Sequence, residues 1–158
     1  MATAEKLALG PARLSDATRI AQMSRRWIEH GLAWRYTPDA VADRIRDSET
    51  EVVVGRAAGR VVGFAVMEFS FDTQRAHLVL LAVEPAWRRR GVGVALFRWL
   101  EKLVRLGGIA TIGLELRSNN DGARAFYEGL GFRAGERLRG YYGGSQDAIR
   151  MNWTRAGP

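Results

Sequence analysis

Residues 80–96 constrain the fold more than any other part of the chain, because they join a buried strand to a helix through a basic loop. Residues 77–83 are almost wholly apolar, which predicts a strand covered on both faces. Pro85 cannot donate a ladder hydrogen bond, so the strand is expected to end there. Apolar residues then recur at helical spacing from Val92 to Leu100. The stretch therefore predicts a strand–loop–helix unit, and with it a sheet that carries helices.

The loop of this unit has the features of a phosphate site. The start of a helix presents unpaired N–H groups and a positive dipole end, and Arg88, Arg89 and Arg90 add charge at that place. Gly91 and Gly93 lack a Cβ atom, so the backbone can approach a ligand closely. The loop lacks the Gly-Lys-Ser/Thr of the nucleotide P-loop and the third small residue of the dinucleotide fingerprint. It predicts a pyrophosphate site, and the alternative is an arginine-rich turn that opens an ordinary amphipathic helix.

The composition is that of one globular domain, which we expect to span residues 1–158, with 47% apolar and 26% charged residues. Without cysteine, disulfides, thiolate metal sites and an acyl-cysteine intermediate are excluded. No apolar run resembles a signal peptide or a membrane span, and no His, Asp or Glu cluster has metal spacing. We therefore expect a cytoplasmic protein that binds no metal and no membrane, as a monomer or homodimer.

The net charge of +7 suits an anionic ligand, an acidic substrate or nucleic acid, although arginines spread over solvated faces would give the same value. The chain has no helix-turn-helix pattern, no aromatic RNA-binding strand motif and no concentrated basic stripe. We therefore do not expect it to bind nucleic acid.

The order of elements along the chain predicts the fold class. Strands are predicted at residues 7–14, 51–57, 61–69, 74–83, 109–117, 132–138 and 147–153, and helices at 15–30, 37–45, 92–106 and 119–130. Ser15 or Asp16 can cap the first helix, and residues 140–146 are predicted to form a loop. This order favours an α/β fold with a mixed, mostly antiparallel sheet of about seven strands and helices on both faces.

A second motif follows at residues 114–132. Its characteristic positions are Asn120, Ala123, Tyr127, Gly131 and Phe132. Together with the Val-Glu-Pro strand end and the Arg-x-x-Gly-x-Gly loop, it resembles the GNAT superfamily of N-acetyltransferases over residues 76–132. Within that superfamily the chain is most similar to the ribosomal-protein N-terminal alanine acetyltransferases. These share Leu-Glu-x-Arg at residues 114–117 and a late Tyr-Tyr…Asp-Ala-Ile-x-Met pattern at residues 141–151.

The resemblance implies an acetyl-CoA-dependent N-acetyltransferase that transfers acetyl directly to a primary amine. The main chain of the strand before the loop is expected to pair with the pantetheine arm and to polarise the thioester carbonyl. The implied acetyl-CoA residues are Leu81, Ala82, Val83, Arg88, Arg89, Arg90, Gly91, Val92, Gly93, Val94, Asn120, Ala123 and Phe126. Three alternatives remain for what the site does: it acetylates a peptide N-terminus, it acetylates a small amine, or it binds acyl-CoA as a sensor without turnover.

Glu115 and Tyr127 are the candidate catalytic pair, since the resembling enzymes have a glutamate base and a tyrosine acid at matching positions. An amine is mostly protonated at neutral pH and must lose a proton before it attacks. A tyrosine with an ordinary pKa of ~10 keeps a proton for the leaving thiolate. A glutamate with a pKa of ~4.3 is too weak a base unless burial raises that pKa or a water relays the proton. Each residue has an alternative role: Glu115 as a surface charge beside Arg117, and Tyr127 as a packed core residue. Glu68 is the alternative candidate for the base.

Aromatic residues are expected on the acceptor side of the site. The predicted acceptor-binding residues are Trp34, Tyr36, Glu68, Tyr141 and Tyr142. Trp34 and Tyr36 have the alternative role of closing the core. We expect His77 to be a strand residue satisfied by packing, and His30 to be a charge at a helix end.

Overall fold

The computed structural model describes residues 6–155, in which seven strands form one sheet. The strands are β1 (Leu7–Pro11), β2 (Thr50–Ala57), β3 (Arg60–Ser70), β4 (Arg75–Val83), β5 (Thr111–Arg117), β6 (Arg133–Tyr142) and β7 (Gln146–Thr154). The helices are α1 (Ala17–Trp27), α2 (Pro38–Arg46), α3 (Val92–Leu106) and α4 (Asp121–Gly129). The spatial order is β1-β2-β3-β4-β5-β7-β6, with all neighbours antiparallel except β4 and β5.

Both faces of the sheet carry helices, which confirms the predicted α/β architecture. One apolar cluster places the buried face of α3, including Phe97 and Leu100, against inward residues of the central strands. The other cluster places Ile20 and Met23 of α1 against Phe64 and its neighbours on the opposite face. Since residues 1–5 and 156–158 lie outside the described part, a single domain over the whole chain stays a prediction.

The sheet divides between β4 and β5. These parallel strands pair only from Arg75 to His77, opposite Thr111 to Gly113. Beyond His77, β4 stays paired with β3 as far as Val83, while β5 stays paired with β7 as far as its last residue. The two halves of the sheet therefore separate, and the facing edges of β4 and β5 are left without a ladder partner in the described residues.

A bulge in β4 lies just past this separation. Met67 of β3 pairs with Leu78, but the next residue, Val66, pairs with Leu80, so Val79 is the extra residue. Because side chains alternate along a strand, the extra residue changes which face each later side chain meets. Leu78 accordingly packs in the α3 cluster, whereas Leu80 packs in the α1 cluster.

The first helix is shorter than predicted, ending at Trp27 rather than at residue 30. The cause is Glu29, whose buried carboxylate accepts hydrogen bonds from the Ser24 hydroxyl (2.8 Å) and from the N–H groups of Arg35 (2.7 Å) and Tyr36 (3.2 Å). These bonds turn the chain into a fixed loop from residue 28 to residue 36. His30 therefore lies in this loop rather than at a helix end.

The start of α1 also differs from the prediction, since Asp16 does not cap that helix with its side chain. Its buried carboxylate instead forms a bidentate ion pair with Arg56 of β2 and accepts the Arg13 N–H at 2.8 Å. The Arg56 hydrogen bond and the Arg13 N–H hold the pKa of Asp16 below its usual value, although burial acts in the opposite direction. The pair fixes the helix start to the sheet.

The predicted loop at residues 140–146 begins too early, because β6 continues to Tyr142 and pairs there with Gln146 of β7. The register of β6 and β7 shifts between Leu138 and Tyr142, where Gly140 has a positive φ of 63°. The Gly140 N–H donates to Asp147 at 2.9 Å. The extension places Tyr141 and Tyr142 on a strand. Among residues 6–155, no helix is long and apolar enough to cross a membrane, and the cytoplasmic location stays a prediction.

Candidate active site

A cleft of about 630 Å³ opens where β4 and β5 separate. Its walls are these two strands, the loop at residues 28–36, the start of α4 and the turn between β6 and β7. It brings together eight of the residues predicted for the site: Tyr36, Leu81, Glu115, Asn120, Ala123, Tyr127, Tyr141 and Tyr142. The sheet separation thus creates a space lined by residues from both sequence motifs.

Two of the predicted acceptor residues do not line this cleft. Trp34 packs against the α1 cluster, with the Arg25 guanidinium 4.7 Å from its ring centroid and its Nε1 buried without a partner among residues 6–155. Glu68 forms an ion pair with Arg44 at 2.7 Å. The prediction of Trp34 as an acceptor contact is therefore not supported by its position, because its ring is used in packing.

The basic loop leads into α3 through Gly91, whose φ of +82° would strain any other residue. Ala95 is the first residue of the helix whose N–H is bonded, to the carbonyl of Gly91, and the N–H groups of residues 89–94 have no acceptor among the described residues. Arg88 donates through Nε to the Val83 carbonyl at 3.0 Å. The Arg90 guanidinium lies 4.0 Å from the Trp87 ring centroid. These contacts fix the conformation of the loop, which presents unpaired backbone N–H groups and positively charged arginines.

Gly93 allows α3 and α4 to approach each other closely. A Cβ atom at this position would lie 3.0 Å from Cζ and 3.1 Å from Cε1 of Phe126, which is tighter than ordinary side-chain contacts. The absence of a Cβ at Gly93 is therefore needed for the packing of α3 against α4, as well as for the close approach of a ligand to the loop. Sequence reasoning predicted only the second requirement.

Asn120 and Tyr127 are both positioned by α4. The Asn120 Oδ1 accepts the N–H of Ala123 at 3.1 Å and caps the helix. The Tyr127 ring packs edge-on against Phe126 and Phe132, with centroids 5.1 Å and 5.5 Å away. Burial raises the pKa of Tyr127 well above its usual value, so the hydroxyl keeps its proton at neutral pH.

The strand alternation predicted for β5 is confirmed, since Leu114 and Leu116 are buried in the core while Glu115 faces the cleft. Its carboxylate lies 2.6 Å from Nε2 of His77 and 3.4 Å from the Arg150 guanidinium. The His77 hydrogen bond lowers the pKa of Glu115 despite burial, and Arg150 lowers it further. His77 is therefore a cleft residue, not the packed strand residue that the sequence predicted.

Arg117 is a further site residue that sequence reasoning missed. Its guanidinium donates to the carbonyls of Ile28 (3.0 Å) and His30 (2.6 Å) and to the Gln146 side chain (2.8 Å). It also lies 5.7 Å from the ring centroid of Tyr142. Arg117 thus fastens the loop at residues 28–36 to the other half of the sheet, and it fixes the mouth of the cleft.

With this geometry in place, the comparisons with known proteins identify the family. The profile of the acetyltransferase (GNAT) family matches residues 18–132, so the chain belongs to the GNAT acetyltransferase family. The resemblance stated from the two motifs is confirmed.

Individual proteins similar to this chain are also named as N-acetyltransferases. The chain is 38% identical to the [ribosomal protein bS18]-alanine N-acetyltransferase of Escherichia coli K12 over 96 residues, which cover 59% of this chain and 64% of that protein. It is 29% identical to the N-alpha-acetyltransferase RimI of Mycobacterium tuberculosis over 99% of this chain and 98% of that protein. The crystal structure of the ribosomal-protein-S18-alanine N-acetyltransferase from Escherichia coli has a TM-score of 0.80 at 27% identity, covering 96% of this chain and 97% of that one.

Proposed function

We propose that this protein is an acetyl-CoA-dependent N-acetyltransferase that transfers acetyl directly to the N-terminal amine of a protein or peptide. The observation that carries the proposal is the cleft between β4 and β5, which has a carboxylate on one wall and a protonated tyrosine on another. Family membership and the named activities of the relatives support it.

The residues around the cleft fit acetyl-CoA. The free N–H groups of residues 89–94, together with Arg88 and Arg90, would hold the phosphates. The unpaired edge of β4 after His77 would hold the pantetheine arm as an added strand, opposite Asn120 and Ala123. Arg89, Val92 and Val94 contribute through the same loop and helix start, while Ala82 and Phe126 act as packing supports.

The chemistry that follows is acyl transfer without a covalent enzyme intermediate. Bound acetyl-CoA supplies a thioester carbonyl and a thiolate leaving group. The main-chain N–H groups of Leu81 and Val83 donate toward the carbonyl oxygen. Tyr127 gives its hydroxyl proton to the departing sulfur, and Glu115 serves the amine side of the reaction.

The acceptor preference follows from the charges and aromatic rings of the cleft. A polyamine would require free carboxylates, but Glu29 is occupied by three hydrogen bonds and Glu115 by His77 and Arg150. Arg35 and Arg117 also line the cleft and repel a polycation. The rings of Tyr36, Tyr141 and Tyr142 instead offer flat surfaces to an extended main chain. A peptide N-terminus is the acceptor that this lining favours.

The function is tested by measuring CoA release from acetyl-CoA in the presence of separate acceptors. A peptide with a free α-amine supports release, whereas the same peptide with a blocked N-terminus and spermidine do not. CoA release with spermidine but not with the peptide would identify an acetyltransferase of small amines. Binding of acetyl-CoA without release for any amine would identify a sensor.

The cofactor part of the proposal predicts that changing Arg88 and Arg90 together to alanine weakens acetyl-CoA binding by about tenfold, through lost charge-assisted bonds to phosphate. Calorimetric titration measures the affinity. The matched control changes Arg98 and Arg105, two exposed arginines of α3 that pair with Glu101, and removes the same charge.

The control variant keeps the wild-type affinity within about twofold. Raising the ionic strength weakens binding to the wild type more than to the Arg88 and Arg90 double variant. Equal affinities for the two double variants would mean that net charge, and not the loop, attracts the ligand.

A further inference from the structure

His77 occupies a distinctive place in the cleft. It is the last residue of β4 that pairs with β5, so its side chain stands where the two strands begin to separate. Its Nε2 lies 2.6 Å from Oε2 of Glu115, across the gap. The carboxylate side chain is 13% exposed and the imidazole is 44% exposed. The imidazole therefore lies between a shielded carboxylate and the open part of the cleft.

The short contact determines which imidazole nitrogen carries hydrogen. An ionised carboxylate can only accept, so Nε2 must donate to Glu115. When the ring is neutral, its lone pair is then on Nδ1, and Nδ1 has no hydrogen-bond partner in the described part of the chain. A carboxylate that fixes one nitrogen as a donor leaves the other nitrogen as a base, and it stabilises the ring once that base is protonated.

We infer that His77 is the group that removes the proton from the acceptor amine, and that Glu115 acts by orienting His77 and stabilising its charged form. This inference rests on the proposed acetyltransferase function and specifies its base. The ammonium proton moves to Nδ1, and the nitrogen lone pair forms the bond to the carbonyl carbon. The carbon–sulfur bond breaks, and sulfur takes the hydroxyl proton of Tyr127. The acylated nitrogen then loses its second proton, which restores the Tyr127 hydroxyl through solvent, and His77 releases the first proton to solvent.

The charges around His77 favour its protonated form. Glu115 of β5 is the nearest, and Glu68 lies opposite His77 on β3, although Arg44 of α2 pairs with it. Arg150 of β7 opposes these carboxylates, but it also pairs with Glu136 of β6 at 2.8 Å. The hydrogen bond that His77 donates to Glu115 raises the pKa of His77 above its usual value, more than burial lowers it. The neutral imidazole is the base. The turnover number therefore rises as the pH increases through the raised pKa of His77, and it stays constant at higher pH.

The test compares pH profiles of peptide acetylation for the wild type, His77→Gln and Glu115→Gln. Glutamine at position 77 can still donate to Glu115 but cannot accept a proton at neutral pH. We expect the turnover number of His77→Gln to fall about 10²-fold, with the rising limb lost and the acetyl-CoA affinity unchanged. Glu115→Gln keeps the limb but moves it to lower pH, because the carboxylate that raises the pKa is gone.

A second measurement follows the imidazole directly by NMR. His77 is assigned by comparison with His77→Gln, and it titrates above ~6.5 in the wild type and at lower pH in Glu115→Gln. A rising limb that persists in His77→Gln and disappears in Glu115→Gln would make Glu115 the base and overturn this inference alone. A wild type that acetylates no amine would overturn the proposed function and this inference together.

Discussion

Replacing Tyr127 by phenylalanine lowers the turnover number by about 10²-fold and leaves the affinity for acetyl-CoA nearly unchanged. The substitution keeps the ring that packs against Phe126 and Phe132 and removes only the hydroxyl. Since burial raises the pKa of Tyr127, this hydroxyl is protonated over the whole working range of pH and can serve as the acid for the thiolate. Steady-state kinetics and calorimetric titration measure the two quantities.

The control for this variant is its thermal unfolding, because a loss of packing would also reduce activity. We expect a midpoint close to that of the wild type, since the phenylalanine ring fills the same space. A folded Tyr127→Phe protein with the wild-type turnover number would contradict the role of Tyr127 as the acid.

Gly93→Val removes acetyl-CoA binding, with a loss of affinity of at least about 100-fold. A Cβ at this position would lie 3.0 Å from the Phe126 ring, so a branched side chain separates α3 from α4 and covers the free N–H groups of the loop. The matched control is Gly129→Ala in α4, where an added Cβ meets nothing within 4 Å. Calorimetric titration is expected to show wild-type affinity for that control.

The packing contact means that Gly93→Val also lowers stability, so its circular dichroism spectrum must accompany the binding measurement. Gly93→Ala is the smaller change, since its single added methyl group meets Phe126 at 3.0 Å and Val83 at 3.8 Å and carries no further branches. We expect this variant to fold and to bind acetyl-CoA less tightly than the wild type. A folded valine variant with wild-type affinity would show that the loop does not hold the phosphates.

The parts of the fold that local sequence specifies could be predicted. The apolar run of β4, the proline after it and the glycine loop before α3 determine the central unit from neighbouring residues alone. The alternation of apolar and charged residues in β5 likewise predicts that Glu115 faces away from Leu114 and Leu116, as it does. The family resemblance added the predicted roles of Tyr127 and of the acetyl-CoA residues, because both motifs keep a fixed spacing, and these roles stay predictions.

The remaining features depend on contacts between distant residues. His77 and Glu115 are 38 positions apart, and Arg117 bonds carbonyls that precede it by 87 and 89 positions. No local pattern reports these pairs, so the sequence predicted a packed His77 and gave no structural role to Arg117. The end of α1 was misplaced for a related reason, since the Glu29 carboxylate bonds the N–H groups of Arg35 and Tyr36, six and seven positions further along the chain.

The acceptor specificity is tested most directly by tandem mass spectrometry of one peptide that contains both a free α-amine and lysine side chains, incubated with acetyl-CoA, this protein and an equal concentration of spermidine. We predict a single acetyl group on the α-amine, with the lysines and spermidine unmodified. Acetyl groups found on spermidine or on lysine, with the α-amine free, would contradict the proposed function.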